Sequence, residues 1–180
     1  MTAAVLGKVL VSDSAERPKQ AENGLVRFQD DGEDLAISYP ATWRRIPSPD
    51  PEVRLVAGGT DESSVLMRTV PLGASVGPAS IGSAKKLTDK LVMAAKRVKQ
   101  LRPPRRVDDL GGLPGWLYIY TFEERATGQR GAHAHYFLFR GKTMITLVFQ
   151  TLPAAQFATF APLFDRLATT FDAKPAGRDS

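Results

Sequence analysis

The sequence contains two histidines, His133 and His135, which stand two residues apart. Alternate residues of a β-strand point to the same face, so this pair of imidazoles has a spacing that can bind zinc. A zinc site needs a third ligand, which Glu123 or Glu124 on the neighbouring predicted strand would supply. Two such histidines are also common in ordinary sheets, where they pack across strands or form a polar edge. We therefore predict no metal and no cofactor, and keep His133 and His135 as the candidate ligands.

Positive charge is concentrated between residues 85 and 106, where only Asp89 opposes it before Asp108. One interpretation is a solvated helix face. The other is an anionic partner (an acidic protein, a membrane surface or nucleic acid), in which case phosphate contacts would make binding fall steeply with salt. No aromatic residue interleaves with these charges, so stacking on nucleic-acid bases has no support. The basic residues are Lys85, Lys86, Lys90, Lys96, Arg97, Lys99, Arg102, Arg105 and Arg106.

Two tryptophans, Trp43 and Trp116, each stand beside a predicted turn. Packing in the core is the first interpretation of both. The alternative is a groove between the sheet and its loops that receives a partner or ligand, because aromatic residues are enriched at interfaces. The proline-rich loop 46–51 would flank such a groove.

The sequence offers no recognisable catalytic motif. The glycine pairs at 58–59 and 111–112 lack the spacing of a phosphate loop and its following Lys-Ser/Thr. The aspartate pairs at 30–31 and 108–109 are adjacent, and neighbours on an extended chain point to opposite sides, which makes them poor acid–base partners. The absence of cysteine excludes disulfides, thiolate metal sites and cysteine nucleophiles. We therefore predict that the protein is not an enzyme.

The bulk composition fits one soluble domain. The chain has 180 residues, of which 43% are hydrophobic, enough for a single core. Its net charge of +5 indicates a mild attraction to anionic partners and is too small to imply nucleic acid. No stretch approaches the roughly 18 apolar residues of a membrane helix, and the first eleven residues lack the features of a secretory signal. These features predict a cytoplasmic protein.

The first half of the chain is predicted to contain short strands and one helix. A single domain is expected at 25–172, between flexible tails at 1–24 and 173–180 that show no apolar period. Strands are predicted at 34–38, 53–57 and 64–70, the last ended by Pro71, and a helix is predicted over about 81–101. The apolar stripe of that helix has a 3.6-residue period and consists of Leu87, Leu91, Ala94, Val98 and Leu101.

The second half is predicted to form a three-strand meander over 116–124, 132–140 and 143–152. The short link 140–142 requires an antiparallel hairpin. Both faces of these strands are apolar, whereas a sheet wetted on one side alternates more cleanly, so we expect helices or long loops on both faces. A phenylalanine-rich helix follows, and Pro162 predicts a short turn at 153–159 with a second helix starting near Ala161.

Three segments resemble the Mog1/PsbP-like fold family, including its bacterial domains of unknown function. They are D-L-A-I-S-Y-P-A-T-W at 34–43, G-L-P-G-W-L-Y-I-Y at 112–120 and F-D-R-L-A-T-T-F at 164–171. The resemblance covers nearly all of residues 25–171. It implies an α+β fold, an antiparallel β-sheet with a C-terminal three-strand meander, flanked by helices on both faces.

Relatives in that family include a nuclear-transport GTPase-binding factor, an accessory subunit of the photosynthetic water-oxidising complex, bacterial lipoproteins and chaperones of secreted effectors. What they share, and what the resemblance implies here, is binding of proteins without catalysis. This chain departs from the lipoprotein branch because it has no cysteine to carry lipid.

The sequence thus predicts a non-catalytic protein-interaction module: an adaptor, a chaperone or an accessory subunit of a larger assembly. The alternative is a binder of an anionic partner through the basic 85–106 helix. A protein partner is expected, while contact with a membrane surface and homodimer formation stay open.

Overall fold

The computed structural model of the protein describes residues 24–173. The tails predicted at 1–24 and 173–180 lie outside the described residues except for residues 24 and 173 themselves. The strands are β1 Leu25–Asp30, β2 Leu35–Pro40, β3 Arg44–Arg45, β4 Val53–Gly58, β5 Ser64–Val76, β6 Lys99–Gln100, β7 Arg105–Leu110, β8 Leu113–Glu123 and β9 Arg130–Thr151. The helices are α1 Ile81–Met93 and α2 Phe157–Ala168, the latter preceded by a 3-10 turn at Ala154–Gln156.

The long strand β9 folds back on itself at Gly141, which has a φ of +57°. Within this strand, Nε2 of His133 lies 2.8 Å from Oε1 of Gln150, seventeen residues later. A straight strand rises about 3.3 Å per residue and would hold these residues more than about 50 Å apart. The two halves of β9 are therefore antiparallel neighbours, as predicted from the short link at 140–142.

One large antiparallel sheet carries most of the fold. The first half of β9 pairs with β8, from Gly115↔Leu138 to Glu123↔Arg130. Its second half pairs with β5, beginning at Ser64↔Gln150. Beyond β5 lie β4 and β3, whereas β6 and β7 both pair with the other edge of β8. β1 and β2 form a separate antiparallel hairpin.

A helix covers each face of the large sheet, which explains why both strand faces are apolar. On one face, α2 and the β1–β2 hairpin pack over Leu117, Leu138 and Phe149. On the other face, α1 packs over Tyr118 and Phe137. The α+β architecture with helices on both faces, predicted from the resemblance, is confirmed. No helix within 24–173 is long and apolar enough to cross a membrane.

One strand was missed by the prediction, and another ends later than predicted. β1 was not predicted, and it brings Val26 into the core through its hairpin with β2. β5 was expected to end at Pro71 but continues to Val76, with Pro71 opposite Thr143 of β9. A proline is tolerated there because β4 pairs no further than Arg68, so the missing N–H faces a free edge.

The first helix is shorter than its apolar period predicted. α1 ends at Met93, and the following chain returns to pair Lys99 and Gln100 with the edge of β8. The core-facing residues of α1 are Ile81, Ala84, Thr88 and Val92. The predicted stripe lies to one side of them, and its members Leu87 and Leu101 are 37% and 49% exposed.

The last helix was predicted to break near Pro162, and that prediction was also wrong. α2 runs without interruption from Phe157 to Ala168, and Pro162 stands on its exposed side. The phenylalanine stripe does face the core, since Phe157, Phe164 and Phe171 are all buried.

Candidate functional site

An apolar groove of about 190 Å³ runs beside α1, between the helix and the sheet. Its helix side is formed by Leu87, Leu91, Ala94 and Ala95. The strand side comes from β5, β8 and both halves of β9, and Glu52 and Arg68 lie at the groove as an ion pair. The main apolar residues of the strand side are Leu66, Val70, Tyr120, Phe122, Phe137, Met144 and Val148.

The groove exists because α1 is fastened along its opposite flank. The indole Nε1 of Trp116 donates to the carbonyl of Ile81 at 2.9 Å, at the start of the helix. About two turns further, the hydroxyl of Tyr118 donates to Asp89 at 2.7 Å. These bonds hold α1 over β8 and leave its Leu87–Leu91 flank unfastened. Leu87, at the groove, therefore keeps more than a third of its surface exposed.

A chain of hydrogen-bonded polar groups reaches the groove through Tyr120, His133 and His135. The hydroxyl of Tyr120 lies 3.0 Å from Nδ1 of His133 and 3.1 Å from Nδ1 of His135. Nε2 of His133 reaches Gln150 on the second half of β9. The imidazole of His135 stacks on Phe137, with ring centres 3.9 Å apart. We call these four residues, Tyr120, His133, His135 and Gln150, the histidine relay.

Burial keeps both histidines of the relay neutral. It lowers the pKa of His133 from 6.5 to about 4. It also lowers the pKa of His135 well below its usual value, with a smaller contribution from the neighbouring His133. Nε2 of His135 is buried and has no hydrogen-bond partner among residues 24–173.

The structure does not bring the predicted third zinc ligand to the histidines. Glu123 pairs with Lys96 and Arg97, and the hydrogen bond from Lys96 is the main cause of its lowered pKa. The carboxylate of Glu124 accepts the backbone N–H of Ala126 at 3.0 Å and also that of Thr127, which closes the 125–128 turn. Across residues 24–173, no three histidine, cysteine, aspartate or glutamate side chains form a group that could hold a metal.

The predicted basic helix is divided among several elements, so it does not present one charged face. Only Lys85, Lys86 and Lys90 belong to α1, while Lys96 and Arg97 follow it. Lys99 lies on β6, Arg102 in the next turn, and Arg105 and Arg106 on β7. Several of these charges are paired: Lys85 with Asp89, Lys96 and Arg97 with Glu123, and Arg106 with Asp108.

Neither tryptophan belongs to the residues that line the groove. Trp43 is 7% exposed and packs in the core on the α2 side. Trp116 is half-buried against α1, and the ammonium of Lys85 lies 5.7 Å from its ring centre. The groove was missed because Leu87 and Leu91 were assigned to the core stripe. The sequence did contain a signal. Ile81, Ala84 and Val92 form a second apolar stripe on the same helix, rotated away from the Leu87–Leu91 stripe, and only one of the two can face the core.

No family model and no curated protein matches the chain. Solved structures do. The solution structure of cyanobacterial PsbP (CyanoP) from Synechocystis sp. PCC 6803 is 15% identical, with a TM-score of 0.56 over 92% of this chain and 97% of that chain. The Ran-binding protein Mog1p of Saccharomyces cerevisiae is 10% identical, with a TM-score of 0.53 over 83% and 95%.

The chain has a Mog1/PsbP-like fold. A crystal structure from Bacteroides thetaiotaomicron is similar as well, at 16% identity and a TM-score of 0.58 over 86% of this chain. The present chain spans 50% of that protein's length. The Mog1/PsbP-like likeness therefore confirms the predicted fold, and identities of 10–16% show the fold alone.

Proposed function

We propose that this Mog1/PsbP-like protein is a non-catalytic interaction module whose α1 groove receives a protein partner. The supporting observation is an apolar groove that stays open along one flank of α1, with Leu87 exposed beside it. Exposed apolar surface of this kind typically marks interaction sites. Mog1p, which has the same fold, is a Ran-binding protein, and this favours a binding role in general terms.

The biological setting of this role stays a prediction. The groove fits an adaptor, a chaperone and an accessory subunit equally well. Absence of enzymatic activity and a cytoplasmic location are likewise predictions. They rest on the lack of catalytic motifs and on composition.

The role of the groove is tested by comparing two lysine substitutions on the same helix. Leu87→Lys places a charge at the groove, whereas Met93→Lys changes a side chain that is 61% exposed and outside the groove. We expect the tagged wild-type protein and Met93→Lys to retain a specific partner from native lysate at high salt. Leu87→Lys should lose at least about nine-tenths of it, because a desolvated ammonium is costly. Equal retention by both variants would rule out the groove.

A partner attracted by charge is the second candidate. Lys86 and Lys90 stand exposed on α1, and neither has an ion pair within residues 24–173. If these residues bind an anionic partner, the complex should dissociate at moderate salt. The double variant Lys86→Glu/Lys90→Glu should then abolish binding, whereas Leu87→Lys should preserve it.

A further inference from the structure

The proton positions in the histidine relay follow from the acceptor at its end. Oε1 of Gln150 can only accept, so His133 carries its proton on Nε2 and donates it there. A neutral His133 then has a lone pair on Nδ1, which must accept the hydroxyl proton of Tyr120. Tyr120 has no second proton, so its oxygen accepts from Nδ1–H of His135. The relay leaves Nε2 of His135 as a bare acceptor.

This acceptor is an unmet hydrogen-bonding requirement in an apolar site. Nε2 of His135 has almost no accessible surface and finds no donor in the described part of the chain, whereas other atoms of His135 line the groove, so a donor reaches Nε2 when the side chains above it shift. Buried polar atoms in proteins nearly always have a partner. An occupant that brings a donor to Nε2 therefore gains more than an occupant of the same shape without one.

The size and walls of the groove restrict which donor fits. A cavity of about 150 Å³ suffices for benzene, so a groove of about 190 Å³ holds one aromatic ring with a small substituent. Phe122, Phe137 and Leu91 supply apolar contacts for such a ring. Serine and threonine lack the apolar body to fill it, lysine and arginine would lose their hydration, and phenylalanine has no donor.

We propose that the groove takes a tyrosine side chain of the partner, whose O–H donates to Nε2 of His135. This inference rests on the proposed function and assigns the anchor of the interaction. Tyrosine combines a large apolar ring with a single polar group, and it is enriched among the side chains that dominate binding energy at interfaces.

The experiment uses small probes on the full chain. p-Cresol reproduces the tyrosine side chain, and 4-methylanisole is its analogue without a donor. Both are titrated by NMR into the wild type and into His135→Phe, which keeps a ring stacked on Phe137. The ratio of the two Kd values should favour p-cresol about three- to tenfold more in the wild type than in His135→Phe, as one net hydrogen bond requires. An equal ratio in the two proteins overturns the inference.

A second measurement needs no variant. In the wild type labelled with ¹⁵N-histidine, His135 should show the tautomer protonated at Nδ1. Its Nε2 resonance should shift on addition of p-cresol and stay unchanged with 4-methylanisole. The opposite tautomer, or an equal response to both probes, overturns the inference even if His135→Phe fails to fold.

The outcomes separate this inference from the proposed function. If p-cresol shows no preference but Leu87→Lys still releases the partner, the interaction module stands and the aromatic anchor is wrong. If p-cresol passes both tests while Leu87→Lys leaves partner retention intact, the groove serves a free phenolic molecule. That result overturns the assignment to a partner side chain.

Discussion

The hydroxyl of Tyr118 donates a hydrogen bond of 2.7 Å to Oδ1 of Asp89 and thereby joins β8 to α1. Lys85 holds the same carboxylate at 2.8 Å. The pKa of Asp89 is lowered mainly by the hydrogen bond from Lys85 and further by the one from Tyr118. Because α1 buries only four of its side chains, this polar contact helps to fix the helix and therefore the width of the groove.

Tyr118→Phe should loosen this attachment without changing the packing of the ring. We expect a loss of about 1.5 kcal/mol in the free energy of unfolding, the lower end of the range for a hydrogen bond to a charged group, because the Asp89 side chain is 39% exposed. The loss is measured by urea denaturation. The pKa of Asp89, followed by NMR, should rise toward its ordinary 3.8. Tyr136→Phe is the control, since its hydroxyl makes no hydrogen bond within residues 24–173, and it should cost under about 0.5 kcal/mol. An unchanged Asp89 pKa would contradict the assigned contact.

Stability should fall in acid because the histidines of the relay are buried as neutral groups. The folded-state pKa of His133 is about 4, below its ordinary 6.5, so the unfolded state binds the proton first as the pH decreases. The stabilisation that comes from a neutral, buried His133 is therefore fully present above pH 6.5 and is lost as the pH falls from 6.5 to about 4. The contribution of His133 over this window is about 3 kcal/mol.

The measurement is urea denaturation at several pH values between 4 and 7.5. Replacing both histidines, as in His133→Gln/His135→Gln, should lower stability at pH 7 and flatten its dependence on pH in this window. A slope equal to that of the wild type would show that other groups are responsible.

Phe164→Ala tests the packing of α2. Phe164 is 1% exposed, and its ring stacks on Phe149 at 5.4 Å between centres. We expect a loss of about 3–5 kcal/mol, which is typical of a buried phenylalanine cut to alanine, measured by thermal or chemical unfolding. Phe160→Ala, at a half-buried position on the same helix, should cost clearly less. Equal losses at both positions would mean that the helix buries a different face.

Substitutions at two neighbouring glycines distinguish the cost of backbone strain from the cost of a steric clash. Gly111 and Gly112 both have positive φ, +60° and +86°. A Cβ on Gly111 would stand 2.6 Å from Cδ1 and 2.7 Å from the carbonyl oxygen of Phe171, whereas one on Gly112 meets nothing within 4 Å. Gly112→Ala should cost about 1 kcal/mol from strain alone. Gly111→Ala should cost at least about 2 kcal/mol more, and equal unfolding midpoints for the two variants would contradict the close approach of Phe171.

The sheet could be predicted because its signals are local. The alternation around Tyr118 and Phe137, the apolar second face and the tight link at Gly141 together specify a covered meander. The shared face of His133 and His135 was predicted for the same reason. Their partners Tyr120 and Gln150 lie on neighbouring strands, and only the pairing register identifies them.

The end of α1 could not be predicted, because its cause is distant in sequence. The apolar period continues past Met93, but the edge of β8 competes for this chain. Leu101 donates its backbone N–H to Ile119 at 2.9 Å, and Lys96 accepts from the N–H of Glu123 at 2.8 Å. Trp116 and Tyr118 likewise decide which flank of α1 stays open, because they fasten the other flank to β8. Both residues lie far along the chain from Leu87 and Leu91.

β5 is synthesised well before the second half of β9, with which it pairs. When β4 and β5 leave the ribosome, the inner edge of β5 has no neighbour, because residues 143–150 are made much later. Until then, the backbone groups of Leu66 and Arg68 form an open edge that other chains can pair with. The inner edge of β5 therefore stays open to intermolecular pairing until residues 143–150 have emerged.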